Sequence, residues 1–367
     1  MTANEMMNTS PDSRALAGQT SVVVVAYNTG HFLPDCIASI VTTEPGVEVV
    51  VVDNGSTDGA VEHVQAGFPG VRVVRSKRNG GFGAGNNLGA AAAQGTFLVF
   101  LNPDAVVTGG WLEALVHPLA EDPSIGLVTP KVLLRDDPDR INVAGLEVHL
   151  SGITLCRGLA SPRAAFDEAT EVAAVSGVAF AVRRDVFEAL GGFDEGFFLY
   201  VEDVDISLRA WLAGYRCLYV PQAVVLHDYA LTVDARKTFY VERGRYLMLL
   251  KAFSQHTLLS LVPTLLLAEV ITWGWLLWRN PTAIVQKLGA YRWVLAHRAQ
   301  IAYKRCRVQA QRTQPDGVFL ERCQWRLGFG QLAGPRMARA AGVVFGPLLR
   351  GASRISQIAL GRSGGLL

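Results

Sequence analysis

The sequence predicts an α/β fold, a doubly wound mixed sheet followed by a helical region. Three observations carry this. Uninterrupted β-branched runs recur through the N-terminal half, segments of helical spacing separate them, and each run closes in a polar cluster.

The first run, Ser21–Tyr27 (SVVVVAY), has the composition of a strand buried on both faces. His31 to Val41 follows with helical spacing, and Glu48–Asn54 (EVVVVDN) is a second strand of the same kind. Val71–Arg75 reads as a short third strand, Gly85–Gln94 as an Ala-rich helix, and Thr96–Leu101 as a fourth strand ending in Asn102-Pro103-Asp104. In such sheets ligands bind outside the carboxyl ends of the strands. Three polar loops therefore meet at one edge: Tyr27-Asn28, Asp53 to Asp58, and Asn102 to Asp104.

Hydrophobic residues make up 50% of the 367, which excludes a disordered chain, and the length suggests two units. The net charge of +2 conceals an asymmetry. Residues 279–367 hold 15 Lys+Arg against 2 Asp+Glu, a balance of +13, whereas residues 1–278 hold 19 against 30, a balance of −11. A basic segment beside apolar residues points to an anionic membrane surface, and no base-reading module argues for nucleic acid. The five cysteines are scattered without a C-x-x-C pair, so neither a disulfide framework nor a zinc site is indicated, and reduced core thiols are expected. The polar start over residues 1–19 reads as a disordered tail without a signal peptide, which places the main body of the protein in the cytoplasm.

The glycine run Gly80-Gly81-Phe82-Gly83-Ala84-Gly85 opens a helix, yet it does not follow the first strand and Asp53 precedes it, so a nicotinamide fingerprint is disfavoured. Backbone N–H groups at such a helix start could still meet a phosphate.

The motifs VVVVAYN, VVVDNGSTDG, RNGGFGAGNNLG, FLNPDA, SGVAFAVRR, GGFDEGFFLYVEDVDISLRAWLAGY and VVLHD occur in this order. Together they resemble the nucleotide-diphosphate-sugar glycosyltransferases of family 2, with the GT-A fold, and within them the rhamnosyltransferase-like branch. The resemblance spans about Ser21 to Tyr246, giving a catalytic domain over residues 20–246 and a helical, membrane-associating region over 247–367.

The resemblance implies a nucleotide site at Ala26, Tyr27 and Asn28 with Asp53, Asn54 and Asp58; Asp58 can equally serve as a turn residue or helix N-cap. A strand-end carboxylate such as Asp53 suits the N3–H of a uracil or thymine ring. Asn79, Gly81 and Asn86 fall in the implied donor pocket, although packing of the Ala-rich helix also explains these glycines. Asn102-Pro103-Asp104 stands where the family carries Asp-x-Asp, with Asn in place of the first Asp. Asp104 and His227 are then the implied ligands of Mg²⁺ or Mn²⁺, since such cations need only one or two carboxylates beside phosphate oxygens and water.

Asp203 is the implied general base. Glu202, Asp205 and Arg209 lie three and four residues apart on one charged helix face; Glu202 and Asp205 orient an acceptor or brace Arg209. Ser176, Gly177 and Asp194 belong to the implied acceptor and sugar pockets. Arg243 and Arg245 are placed near the diphosphate, or on a salt-bridged face with Glu242.

Thr257–Trp278 is 22 residues carrying the single charge Glu269, with Trp273, Trp275 and Trp278 at one end. A buried carboxylate disfavours a full span, so a helix in or partly entering the inner leaflet is expected. The basic residues Arg279, Lys287, Arg292, Arg298, Lys304, Arg305, Arg307 and Arg312, interleaved with apolar ones, are expected to meet lipid headgroups, and Ala340–Leu349 to dock similarly, while Gly361–Leu367 is expected to fray.

The expected enzyme sits at the cytoplasmic face of the cell membrane. It transfers a sugar with inversion, rhamnose from dTDP-rhamnose or a sugar from another nucleotide such as UDP, to a polyprenyl-linked or polysaccharide acceptor. The Asn102 departure keeps a non-catalytic sugar-nucleotide-binding or scaffolding protein as the alternative. The sequence leaves homo-oligomerisation open.

Overall fold

The structure, a computed structural model, describes residues 11–229, 235–331 and 334–361. Its first element corrects the expectation of a disordered tail. Helix α1 (Pro11–Gly18) buries Ala17, and the Leu16 carbonyl accepts from the Thr20 hydroxyl at 2.7 Å, tying the helix to the first strand. Residues 1–10 of the expected tail lie outside the described residues.

The chain then runs β1 (Thr20–Ala26), α2 (Phe32–Thr43), β2 (Glu48–Asp53), α3 (Ala60–Gly67), β3 (Arg72–Arg75), α4 (Gly81–Ala92), β4 (Phe97–Leu101), β5 (Ala105–Val107) and α5 (Trp111–Glu121). The middle section adds β6 (Ile125–Leu134), β7 (Ile141–Val143), β8 (Leu146–Val148), β9 (Thr154–Cys156), β10 (Thr170–Glu171), β11 (Ala179–Arg183), α6 (Arg184–Ala189), α7 (Glu202–Leu212) and β12 (Arg216–His227). The main sheet has the order β10-β12-β6-β11-β4-β1-β2-β3, with β5 on β12 and β7 on β6. Strands β4, β1, β2 and β3 are parallel, whereas β11 runs antiparallel between β4 and β6, so the sheet is mixed.

Val22 to Val24 and Val50 to Val52 are fully buried, which accounts for the unbroken valine runs. Helix α4 lies unusually close to these strands. A Cβ on Gly89 would stand 2.3 Å from Val23 Cγ1, and one on Gly85 2.6 Å from Val25 Cγ1. Glycine at these two positions is thus a condition of helix-on-sheet packing.

The C-terminal region is continuous with the catalytic body. Helix α8 (Ala235–Ala252) runs straight through the boundary expected at residues 246 and 247, and Leu247, Met248, Leu249 and Phe253 join the main core. Beyond it lie α9 (Gln255–Ser260), α10 (Val262–Arg279), α11 (Ile284–Ala296), α12 (Arg298–Gln311), α13 (Gly317–Leu320) and α14 (Pro335–Ala359). Ile301, Val308 and Phe319 belong to the same core.

The segment expected to enter a leaflet is two helices, α9 and α10, meeting at Leu261. Among the described residues no helix is long and apolar enough to cross a membrane. Glu269 is an anchor of a buried polar cluster. Its carboxylate receives the Arg245 guanidinium, the Tyr246 and Tyr291 hydroxyls and, at 3.1 Å, the Lys287 ammonium; Glu242 joins Arg245 at 2.7 Å and Lys287 at 3.5 Å. These contacts lock α8, α10 and α11 together.

Four of the eight cations expected to meet headgroups are engaged within the protein, whereas Arg279, Arg292, Arg298 and Arg307 are exposed. Lys287 is fully buried in this cluster, Lys304 pairs with Asp194, Arg305 donates to the carbonyls of Leu250 and Phe253, and Arg312 pairs with Asp316. Ala340–Leu349 falls inside α14, and residues 362–367 of the expected frayed end lie outside the described residues.

Candidate active site

Parallel pairing aligns the strand ends. Ala26 stands opposite Asp53, and Val24 opposite Leu101, so the loops after β1, β2 and β4 emerge side by side. Tyr27, 48% exposed, lies at this edge, and the Ala26 carbonyl accepts from Asn54 N–H at 2.9 Å.

Asp53 is nearly buried, with Oδ1 accepting from Ser56 N–H at 2.8 Å and Oδ2 from Arg75 at 2.7 Å. Arg75, which sequence reasoning did not single out, thereby fixes the carboxylate, and its place at the end of β3 was the available signal. Asn28, in a left-handed conformation, accepts from Thr57 N–H at 2.9 Å, and Asp58 accepts from Gly30 N–H at 2.7 Å. Asp58 also accepts from Ala60 N–H at 3.3 Å at the start of α3. Asn28 and Asp58 thus tie the first two loops together.

The glycine loop is held from both sides. Asn54 donates to Asn79 and to the Gly81 carbonyl, at 3.1 and 3.0 Å, and accepts from Gly80 N–H at 3.0 Å. Asn79 accepts from Gly81 N–H at 2.8 Å, and Phe82 N–H donates to the Phe198 carbonyl at 2.7 Å. Three amides at the helix start are therefore engaged within the protein, which removes them from the expected phosphate contact. Gly81 adopts φ +87°, and a Cβ there would lie 2.1 Å from the Phe198 oxygen. Asn86 is buried and donates to the Phe82 carbonyl of its own helix, so it braces α4 and does not line the donor pocket as expected.

At the far side of β4, Asp104 meets His227. The imidazole Nε2 stands 3.3 Å from Asp104 Oδ1, and both atoms are buried without a hydrogen-bond partner. His227 Nδ1 lies 2.9 Å from Asn142 Oδ1, so the ring donates there and turns its Nε2 lone pair toward Asp104. Two orphaned donors converging from a carboxylate and an imidazole fit a divalent cation whose remaining ligands come from a bound diphosphate and water. Among the described residues no group of three or more His, Cys, Asp or Glu could hold a metal alone. Asn142, missed in the sequence because it lies far from any motif, orients the ring.

Asn102 bridges this side to the carboxylates of α7. Its N–H donates to the Val178 carbonyl at 2.8 Å, and one residue earlier in that turn Gly177 N–H donates to Asp203 Oδ2 at 2.8 Å. Ser176 completes the turn, accepting from Val178 N–H at 3.3 Å. Asp203 Oδ1 accepts from Val204 N–H at 2.8 Å, which leaves lone pairs on both oxygens.

The three acids that open α7 differ in access. Asp205 is completely buried and paired with Arg209 at 2.9 Å and Lys251 at 2.9 Å, so it braces the helix and is not in an acceptor pocket. Glu202 is 6% exposed, with burial and then the Asp203 charge pushing its carboxyl up to about 8. Asp203 alone of the three is partly exposed, and burial raises its carboxyl above the usual range against the backbone N–H groups that favour the anion.

The chain leading into α7 is strained. Phe198, Tyr200 and Val201 all have positive φ, at 65°, 65° and 73°, and for β-branched Val201 this is an outlier. Phe82 on α4 holds the Phe198 carbonyl, and Arg243 on α8 holds that of Phe197. Such over-determined strain is characteristic of functional sites.

Other expected residues lie elsewhere. Asp194 pairs with Lys251 and Lys304 and lines a separate cavity of about 330 Å³ facing α12. Burial opposes its charge, but these two ammonium groups hold the carboxylate well below the usual range. Arg243 and Arg245 do not face a diphosphate: both are buried, Arg243 against Trp293 and the 197 carbonyl, Arg245 with Glu242 and Glu269. For Arg245 the salt-bridged face is the observed alternative.

A mixed α/β sheet whose parallel strand ends carry these polar loops has the GT-A-like architecture. Residues 21–191 match the family model described as glycosyl transferase family 2. The N-acetylglucosaminyl-diphospho-decaprenol L-rhamnosyltransferase of Mycobacterium tuberculosis is 32% identical over 234 residues, covering 57% of this chain and 76% of that protein. The chain therefore belongs to glycosyl transferase family 2 and is a rhamnosyltransferase-like glycosyltransferase.

The pre-mycofactocin glycosyltransferase of the same bacterium is 32% identical over 208 residues, 55% of this chain and 42% of that protein. Among solved structures, GalNAc-T7 with UDP, GalNAc and Mn²⁺ superposes with a TM-score of 0.54 at 22% identity, over 65% of this chain and 48% of that one. Staphylococcus aureus TarS gives 0.53 at 18% identity, over 84% and 56%. This chain spans about half of each of these two solved chains, and the likeness is one of fold.

Proposed function

We propose that the protein transfers rhamnose, with inversion, from dTDP-rhamnose to a hydroxyl of a polyprenyl-diphosphate-linked N-acetylglucosamine, with Asp203 as general base. The single observation that carries the base is its access: of the three acids opening α7, Asp203 alone is partly exposed. The mycobacterial relative's name supports the sugar and the acceptor.

In the step itself, Asp203 takes the proton of the acceptor hydroxyl while that oxygen attacks the anomeric carbon from the side opposite the leaving group. The carbon–oxygen bond to the nucleoside diphosphate breaks, and its electron pair leaves with the diphosphate. No covalent sugar–enzyme intermediate forms. Asp53, fixed by Arg75 and Ser56, offers an acceptor to the N3–H of a pyrimidine base. Asp104 and His227 would hold Mg²⁺ or Mn²⁺, which when bound neutralises charge on the diphosphate; the Mn²⁺ in the GalNAc-T7 structure is consistent with this.

The test is a titration with dTDP, UDP and GDP, each with and without Mn²⁺, followed by transfer from the matching sugar donor to a lipid-linked N-acetylglucosamine. Metal-dependent dTDP binding and inverted product support the reading. Binding confined to GDP, or full turnover by Asp203→Asn, would refute it.

A further inference from the structure

Helices α10 and α14 pair in antiparallel fashion. Thr264 Oγ1 lies 3.1 Å from Ser356 Oγ, and one turn-pair further along Ile271 and Leu349 share a small buried cluster. The outer sides of both helices are apolar. On α10 the stripe is Val262, Leu266, Val270 and Leu277, continued from α9 by Leu259; Leu266 and Val270 are each 62% exposed. On α14 it is Val344, Leu348, Ile355 and Ile358, the last 68% exposed.

The charge beside this surface has one sign. Helix α14 contains no acidic residue, and Arg336, Arg339, Arg350 and Arg354, all exposed, recur on the stripe adjacent to its apolar one. The only acids after residue 279, Asp316 and Glu321, lie beside Arg312 and Arg322, at 2.8 and 3.5 Å. Glu269 is taken up in the cluster with Arg245 and Lys287.

We propose that the outer face of α10 and α14 docks in the plane of an anionic lipid surface, burying the apolar stripes among the acyl chains with the α14 arginines at the phosphates. The charge identifies this occupant. A second protein copy would bring a second row of like charges to the seam, whereas anionic headgroups complement it. Neither helix spans the bilayer: the inner side of α10 is committed to the protein core. This surface lies outside the donor and acceptor machinery, so the proposal stands apart from the choice of sugar.

The experiment is sedimentation of the full chain with vesicles of equal phosphatidylglycerol and phosphatidylcholine, and with phosphatidylcholine alone. The chain is expected to sediment with the anionic vesicles. Leu266→Glu with Val270→Glu, and separately Ile355→Glu with Ile358→Glu, should each lower partitioning at least about tenfold, as these side chains are exposed and their loss removes lipid-buried apolar area. Arg336→Glu with Arg339→Glu should abolish the preference for anionic over neutral vesicles. Nucleotide binding and the circular-dichroism melt of each variant should match the parent, which separates a lost surface from a lost fold. The proposal is overturned if the parent ignores anionic vesicles, if the glutamate variants bind as the parent does, or if velocity sedimentation shows a dimer that the same variants dissociate.

Discussion

Asp203 and Glu202 are neighbours in sequence that differ in exposure. Below about pH 8 Glu202 is held protonated by burial and by the Asp203 charge. Glu202→Gln preserves that neutral state and should keep transfer within about tenfold of the parent, whereas Asp203→Asn should lower kcat at least about a thousandfold with nucleotide affinity little changed. Because burial raises the Asp203 carboxyl, the acidic limb of kcat/KM should lie above the ordinary carboxylate range, activity growing as pH rises through it; a limb near pH 4 in a rate profile would remove Asp203 as the base. On the other side of the cleft, Asn142→Leu frees the His227 ring and should weaken Mn²⁺ binding by about 10- to 100-fold in calorimetry. The motif acids were legible in the sequence because they cluster. Arg75 and Asn142 were not, since each acts only through a contact made by folding.

At the scale of elements, the strands β1, β2 and β4 could be read directly, for full burial demands unbroken apolar runs. Helix α3 escaped because Glu62, His63 and Gln65 leave it only a narrow apolar side, Ala60, Val61 and Val64. The glycine run was legible as a helix start, but its reason was not: the spacing shows flexibility, while only the packed structure shows Val25 and Phe198 closing on it, and Val23 on Gly89 beyond it. Gly89→Ala should therefore destabilise the chain by about 1–3 kcal/mol through overpacking against Val23, measured as a shift in urea midpoint. Gly81→Ala combines a left-handed φ with a backbone collision and should also impair transfer, since the segment it displaces leads into Asp203.

For the whole molecule, the sequence located the charge asymmetry but could not pair its members. One-dimensional patterning shows Glu269 as a carboxylate in an apolar segment; only three helices folding together bring Arg245, Tyr246, Lys287 and Tyr291 to it. Removing one member strands the rest, so Arg245→Met should cost about 3–5 kcal/mol in chemical unfolding. The same cluster makes stability depend on acid. Burial opposes ionisation of Glu269, but Arg245, the two tyrosines and Lys287 lower its carboxyl to about 2 from an ordinary 4.5. Its stabilisation is then present above pH 4.5 and declines as pH falls toward 2. Urea midpoints should decline over that window in the parent and less steeply in Arg245→Met.

The turn at residues 176–178 works as a fixed gauge. One amide holds the carboxylate proposed to receive the proton, and a carbonyl one residue later holds Asn102 at the end of β4. The spacing between Asp203 and the end of β4 is therefore set by two contacts made by the main chain of one turn. Loops around it can be remodelled for new donors or acceptors while the handedness of the product stays the same.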